Sequence, residues 1–325
     1  MAVPAGLIEE MTLTEKIGQL TMVSANFTVT GPVVVEDVTA ELKAGRIGSL
    51  FNLYGVAAVR AAQRQAVEET RLGVPLFFGF DTIHGFRTVF PIPLAEAGAF
   101  DPALWQETAA EAGAETAEAG IDLTFAPMLD IARDPRWGRI AEGPGEDPLV
   151  ASAMAVAKVR GFQGPGRVAA TAKHFVGYGA SAAGRDYAPV DLSERALAEI
   201  YLPPFRAAVE AGVEAVMPAF TDIAGVPLTA DRRLLTGLLR EQWGFAGAII
   251  SDYGAVGELI RHGVAADAVE AAALALRAGV DIDMMSMAYR NGRRGPFWSC
   301  HERKPDGRWC GITQEVTGNG YTHAA

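Results

Sequence analysis

The chain has 325 residues, 50% of them apolar and 21% charged, enough to bury the core of one large barrel-type domain or two of average size. Lys and Arg number 28 against 39 Asp and Glu, a formal charge of −11, which argues against an electrostatic grip on nucleic acid. No uncharged apolar run approaches the ~20 residues of a membrane span, so neither nucleic acid nor membrane is an expected partner.

The opening MAVPAGLIEEMTLTEKIGQL has no basic stretch followed by an apolar one. A cytoplasmic protein is expected, or a periplasmic or secreted one whose export signal has been removed. From about residue 45 to 285 short β-branched or aromatic runs alternate with Ala/Leu/Glu-rich stretches at helical spacing. The runs are IGSLFN (47–52), VPLFFGFD (74–81), IDLTFAPMLD (121–130), VAATAKHF (168–175), VEAVMPAF (213–220), GAIISDY (247–253) and VDIDMM (280–285). Between them, Asp101-Pro102 and Asp147-Pro148 each set a capping carboxylate before a proline at the first helical position. Gly120, Gly161, Gly212, Gly244 and Gly279 stand where glycines end helices.

Such units predict a parallel sheet, either doubly wound or closed as a TIM-like (β/α)8 barrel. Asp81, Asp130, the Lys173–His174 pair and Asp252 all fall at the C-terminal ends of different runs. Charge sent to one rim by several strands is how a barrel builds its active site. A dinucleotide-binding sheet would carry G-x-G-x-x-G after a strand, and none is present. The barrel is the expected fold, incomplete at its C-terminal end, because residues 292–325 show neither periodicity. That tail holds both cysteines (Cys300 and Cys310), two of the five tryptophans and two of the five histidines. Two cysteines are too few for a zinc cage, and nothing pairs them as a disulfide. The division expected is a barrel over 1–291 and an irregular tail over 292–325, either a surface extension or the mark of a truncation or frame change. A missing eighth β/α unit would leave a gap beside the first run and an exposed edge prone to self-association.

Asp252 lies in IISDYGAV, at a strand end and before a glycine. There it is either a nucleophile or base, or a cap for the next helix. Asp81, in FFGFDTIHG, is a second rim carboxylate. Paired carboxylates accept hydrogen bonds from sugar hydroxyls and stabilise an oxocarbenium-like transition state. His84, three residues on, reads as structural. RDPRWGRIAEGPGEDP (133–148) is too polar for a core. An ion network accounts for Arg133, Asp134, Glu142, Glu146 and Asp147, with one arginine aimed at the cavity as the exception. GPGEDP lacks the Gly-Lys-Ser/Thr of a phosphate loop. Lys173 is open to two chemistries: a Schiff base, if desolvation lowers its pKa, or a fixed donor to substrate hydroxyls together with His174. The glycine-rich VGYG that follows favours the second. No metal-ligand spacing appears.

Together FFGFDTIHGFRTVFP, APMLDIARDPRWGRIAEGPGEDP, KHFVGYGASAAGRDY and ISDYGAV, in that order, resemble glycoside hydrolase family 3, and in particular its bacterial β-glucosidases. The resemblance covers about residues 8–291. It implies a retaining double displacement without cofactor or metal, with Asp252 as the nucleophile. Asp81, Arg139, Lys173 and His174 are implied as ligands of the non-reducing-end glucose, with Met217 and Tyr253 beside it. In relatives the Lys–His peptide is cis, so that both side chains reach one sugar.

The sequence also departs from the family. A segment that often reads M-S-A-Y-N with a later N-G is here MPAFTDIAG, so Phe220 lacks a tyrosine hydroxyl and Ala224 replaces an asparagine. The β-glucosidase branch adds a second α/β sandwich domain that supplies the acid/base glutamate. A single-domain branch carries a His/Asp pair in the loop after the Lys-His motif, and VGYGASAAGRDYAPV contains no histidine. The expected protein is an exo-acting retaining β-glucosidase barrel for small β-glucosides or oligosaccharides. Its acid/base would be missing from this chain and supplied by a C-terminal α/β sandwich domain or by a homo-oligomer. A sugar-binding barrel without turnover is the alternative, and a Lys173 Schiff-base aldolase a remote one.

Overall fold

The computed structural model describes residues 6–25, 38–164 and 168–292. Eight parallel strands follow one another around a single sheet: β1 Thr21–Ser24, β2 Ser49–Phe51, β3 Phe77–Phe80, β4 Leu123–Thr124, β5 Ala169–Phe175, β6 Ala215–Pro218, β7 Ala248–Ile249 and β8 Asp283–Met284. β1 pairs with β2 on one side and β8 on the other, Met22 facing both Ser49 and Met284. The two ends of the ladder meet at a bridge between Ile250 and Ile282, where Ser251 N donates to Ile282 O and Ile282 N donates to Ile249 O. With helices between the strands, this is a TIM-like (β/α)8 barrel.

Seven strands fall within the seven runs read from the sequence. The eighth does not come from the C-terminal side, and the gap expected beside the first run is filled by β1. Its four residues, TMVS, are all buried and directly follow a helix (Leu13–Gln19). A four-residue strand covered on both faces shows no alternation, so it merges with the helical pattern before it. What is incomplete among the described residues is the last unit's helix, five residues long at Ala288–Gly292. The tail beyond it, with Cys300 and Cys310, lies outside the described residues.

The capping dipeptides act as their sequence predicts. Asp101 accepts from Ala103 N and Leu104 N at the start of Pro102–Glu118, and Asp147 accepts from Leu149 N and Val150 N at the start of Pro148–Phe162. Each such cap is worth ~1 kcal/mol. Gly120, Gly212, Gly244 and Gly279 take positive φ at helix ends. Gly161 does not, because it lies inside Pro148–Phe162. A Cβ there would stand 2.5 Å from Gln106 O and 2.6 Å from the Ala109 Cβ, so it is the contact point of two closely packed helices.

Strand runs also end early where the sequence says they must. The third run, which holds β4, stops pairing regularly after Thr124, since Pro127 has no N–H to give a ladder. The remaining residues, to Asp130, carry the chain over the rim. A short antiparallel hairpin, Asp222–Ile223 with Val226–Pro227, follows β6. Among the described residues no helix is long and apolar enough to cross a membrane.

Candidate active site

The C-terminal ends of β3, β4, β5 and β7 bring five acids and bases to one rim, Asp81, Asp130, Lys173, His174 and Asp252. Lys173 and His174 stand side by side on β5, the peptide between them is cis, and both side chains enter the same cluster. Lys173 Nζ donates to Asp81 Oδ2 at 2.9 Å. The lysine side chain is 4% exposed and the aspartate 52%, so Asp81 faces the open mouth. His174 is wholly enclosed. Its Nδ1 lies 2.8 Å from Asp130 Oδ2, which also accepts the His174 backbone N–H at 3.0 Å. Its Nε2 lies 3.2 Å from an Arg139 Nη and 3.4 Å from Asp252 Oδ2. The ring meets Tyr178 edge-on, and the Arg139 guanidinium lies over the same tyrosine.

Arg139 comes from the 3₁₀ turn Gly138–Glu142 beyond β4. Its Nε and an Nη donate to the two oxygens of Glu142 at 2.7 and 3.0 Å, the two-pronged fit a guanidinium makes with a carboxylate. Burial works against that charge, yet the Glu142 bond holds the Arg139 pKa above its ordinary value. Burial likewise pushes Glu142 up, and Arg139 more than offsets it, so the net shift is down. The pair stays ionic and fixes one positive charge beside Asp252.

Asp252 follows β7. Its Oδ1 accepts the Tyr253 N–H at 2.6 Å, which leaves Oδ2 turned toward His174. Burial pushes its carboxyl up to about 6, against the pull of Lys173, the Tyr253 N–H and Arg139. At neutral pH it is a carboxylate with 13% of its side chain open, flanked by two cations. Burial drives His174 well below its usual value, and Arg139 and Lys173 add to the effect. The imidazole is therefore neutral. Such a site offers an unshared anionic oxygen to a carbon and both donors and acceptors to hydroxyl groups.

Asp81, Arg139, Lys173, His174 and Asp252 thus meet in one cluster. Met217 does not touch it through a polar atom. It is buried in β6, in register with Lys173, and belongs to the barrel wall. Tyr253 packs edge-on against Phe51, 6.1 Å between ring centres. His84 ties down its own loop through Nδ1 and Phe90 O at 3.0 Å. Lys173, held as a donor to Asp81, takes the fixed-donor arrangement, one of the two chemistries open to it.

Two members of the cluster were not assigned from the sequence. Glu142 was grouped with the loop's ion network, and it does pair, but with the arginine at the site. Asp134 pairs with Arg136 outside it. Asp130 stood at a strand end like Asp81 and Asp252, and that position was the signal available. Phe220, which lacks the usual hydroxyl, packs 4.7 Å from the Tyr187 ring.

Residues 12–292 match the family model described as the glycosyl hydrolase family 3 N terminal domain. The periplasmic beta-glucosidase of Salmonella typhimurium is 42% identical over 289 residues, 87% of this chain and 37% of that protein. A beta-xylosidase of Formosa agariphila is 41% identical over 241 residues, 68% of this chain and 33% of that protein. Among solved structures, the beta-glucosidase of Listeria innocua in complex with isofagomine superposes with a TM-score of 0.85 at 40% identity, covering 89% of this chain and 41% of that one. The chain spans about two fifths of the length of these relatives. It belongs to glycosyl hydrolase family 3, and its matched residues are those of that family's N-terminal domain.

Proposed function

We propose that this chain is the nucleophile-bearing barrel of a retaining, exo-acting β-glucosidase. Asp252 Oδ2 attacks the anomeric carbon of a terminal β-D-glucosyl residue, the bond to the leaving oxygen breaks, and a covalent glycosyl-enzyme forms. Water then attacks the same carbon and releases glucose with its configuration retained. Asp81 and His174 accept, and Lys173 and Arg139 donate, to hydroxyls of the bound ring, with Met217 and Tyr253 behind it. The observation that carries the reading is the Asp252 carboxylate, ionised at neutral pH and partly open, with Lys173, Arg139 and a neutral His174 around it. Relatives of known structure include Listeria beta-glucosidase complexes with glucose and with gluconolactone, which supports glucose as the sugar.

The proton for the leaving oxygen has no donor in this reading. Asp186, in the loop after the Lys-His motif, accepts from Trp137 Nε1 at 3.0 Å. The acid/base then comes from a C-terminal α/β sandwich domain or from an associated copy, with residues 1–291 as the barrel unit and 292–325 outside it. The name of the Salmonella relative favours a periplasmic site of action over a cytoplasmic one, and cell fractionation decides between them.

General acid help is worth ~10²–10⁴-fold and matters least for acidic leaving groups. The chain alone should therefore cleave dinitrophenyl glucoside, lose that activity in Asp252→Asn, and barely act on cellobiose. Azide should accelerate turnover by attacking the glycosyl-enzyme without a base. Cellobiose cleavage at ordinary rates with no azide effect would place an acid/base within this chain. Glucose binding with no Asp252-dependent turnover would instead favour a sugar-binding barrel.

A further inference from the structure

Asp130 lies beneath the cluster and touches no open space, yet it holds the residue that does the most connecting. One of its oxygens, Oδ2, faces both the backbone N–H and the Nδ1 of His174. Its other oxygen, Oδ1, is buried and has no hydrogen-bond partner among the described residues. We propose that Asp130 is a positioning residue that fixes His174 as the Nδ1–H tautomer and thereby turns a bare Nε2 lone pair toward Arg139 and the pocket.

Donor counting carries the argument. A neutral imidazole has one ring proton, and its two nitrogens are then one donor and one acceptor. Arg139 has only donors, so its 3.2 Å contact with Nε2 is a hydrogen bond only if Nε2 is bare. The proton must then be on Nδ1, where Asp130 Oδ2 waits at 2.8 Å. The opposite tautomer could aim its N–H at Asp252 Oδ2, 3.4 Å away, but would set the same N–H against the closer Arg139 N–H at 3.2 Å. It would also need a proton on the same Asp130 oxygen that already accepts the His174 backbone.

The orphaned Oδ1 completes the device. Burial pushes the Asp130 carboxyl up to about 7, with Arg139 and Lys173 as the nearby cations and Glu142 as the nearby anion. A proton arriving on Oδ1 disturbs neither bond to His174, so the tautomer survives the titration of its holder. The sequence suggested Lys173 and His174 as a pair of donors. Here the lysine donates and the histidine accepts, which lets neighbouring residues grip opposite ends of neighbouring hydroxyls. What Nε2 does with a sugar rests on the glycosidase reading, whereas the tautomer does not.

The test is ¹⁵N imidazole NMR of the full labelled chain, which has five histidines, with the His174 signals assigned by their loss in His174→Asn. The wild type should show His174 as the neutral Nδ1–H form, unchanged from pH 5 to 8. Asp130→Asn, whose side-chain carbonyl can take the same two bonds, should keep that form, and Asp130→Ala should lose it to a mixture. With dinitrophenyl glucoside, Asp130→Ala should lower kcat/KM on the order of 10²-fold, the scale of a misplaced active-site group, and Asp130→Asn by less than ~10-fold. An Nε2–H form in the wild type overturns the proposal, and so does an unchanged pure Nδ1–H form in a folded Asp130→Ala. If Asp130→Ala does not fold, the wild-type spectrum still decides. Absence of any Asp252-dependent turnover would sink the glycosidase reading while leaving the spectral result to stand or fall separately.

Discussion

Lys173 Nζ reaches from β5 past β4 to donate to Asp81 Oδ2 at the end of β3, 2.9 Å away. The ammonium is buried and its partner is half open to water, so the pair is lopsided. Most of what Asp81 gains from it could be supplied by solvent, whereas the lysine has no such alternative.

Replacing that lysine by methionine should therefore leave the fold nearly intact, since a similar volume of apolar side chain is often neutral at a buried ionic site. Stability in urea should change by about 1 kcal/mol or less, while kcat/KM on dinitrophenyl glucoside falls at least ~10²-fold. Lys173 also pulls the Asp252 pKa down. The acidic limb of the wild-type pH–rate profile should lie at about 6, where burial places the Asp252 carboxyl, and in Lys173→Met it should move upward. Borohydride with carbonyl substrates should trap nothing; a trapped adduct in the wild type, absent from Lys173→Met, would revive the imine chemistry.

Arg139→Lys keeps the charge and discards the fork. The two bonds to Glu142 and the contact with His174 come from two nitrogens of one plane, Nε and an Nη that serves both partners, and an ammonium cannot reproduce that fork. Turnover should fall on the order of 10²-fold with little change in thermal stability, as measured side by side on the two proteins. Near-normal kcat/KM would show that charge alone matters there.

Asp252 should trade stability for reactivity. Its carboxyl stands at about 6 in the fold against an ordinary 3.8. As pH rises from about 4 to 6 the unfolded chain has released this proton and the folded chain has not. Stability from this group is therefore lost over that window and stays lost above it. About 2 units correspond to ~3 kcal/mol at most. Asp252→Asn should be inactive but more stable than the wild type at pH 8, and the gain should vanish below pH 4. Urea titrations at both pH values check this, and a variant that is less stable at pH 8 contradicts it.

Ala224 sits at the exposed tip of the hairpin after β6, where it and Gly225 both have positive φ, 52° and 81°. Two-residue hairpin turns ask for that conformation, and asparagine tolerates it better than alanine. Ala224→Asn should raise the urea midpoint by the equivalent of ~0.5–1 kcal/mol with an unchanged slope. A lowered midpoint would mean that the tip is not left-handed in solution.

Apolar runs of six or more residues are readable from their β-branched and aromatic content, and in three of them Asp81, the Lys173–His174 pair and Asp252 mark the end. β1 was not readable, since TMVS is uniformly buried and abuts a helix. Gly161 looked like a helix end because composition cannot distinguish a stop from a crossing point, and only the neighbouring helix reveals which it is. In the site, residue type and strand-end position were enough to find the charged groups that face the mouth. Asp130 and Glu142 act on other side chains instead, and a one-dimensional pattern holds no trace of which atom leans on which.

The bridge that joins Ile250 to Ile282, and the pairing of β1 with β8, unite the first and last strands of the barrel in chain order. Until β8 is made, Thr21–Ser24 has a neighbour on one side only, and β7 waits likewise. Each is a sticky margin until Asp283 and Met284 emerge. For a nascent chain the hazardous interval is thus the time taken to translate from β1 to β8, and chaperone demand should track the delay before that last barrel strand appears rather than the stability of the finished ring.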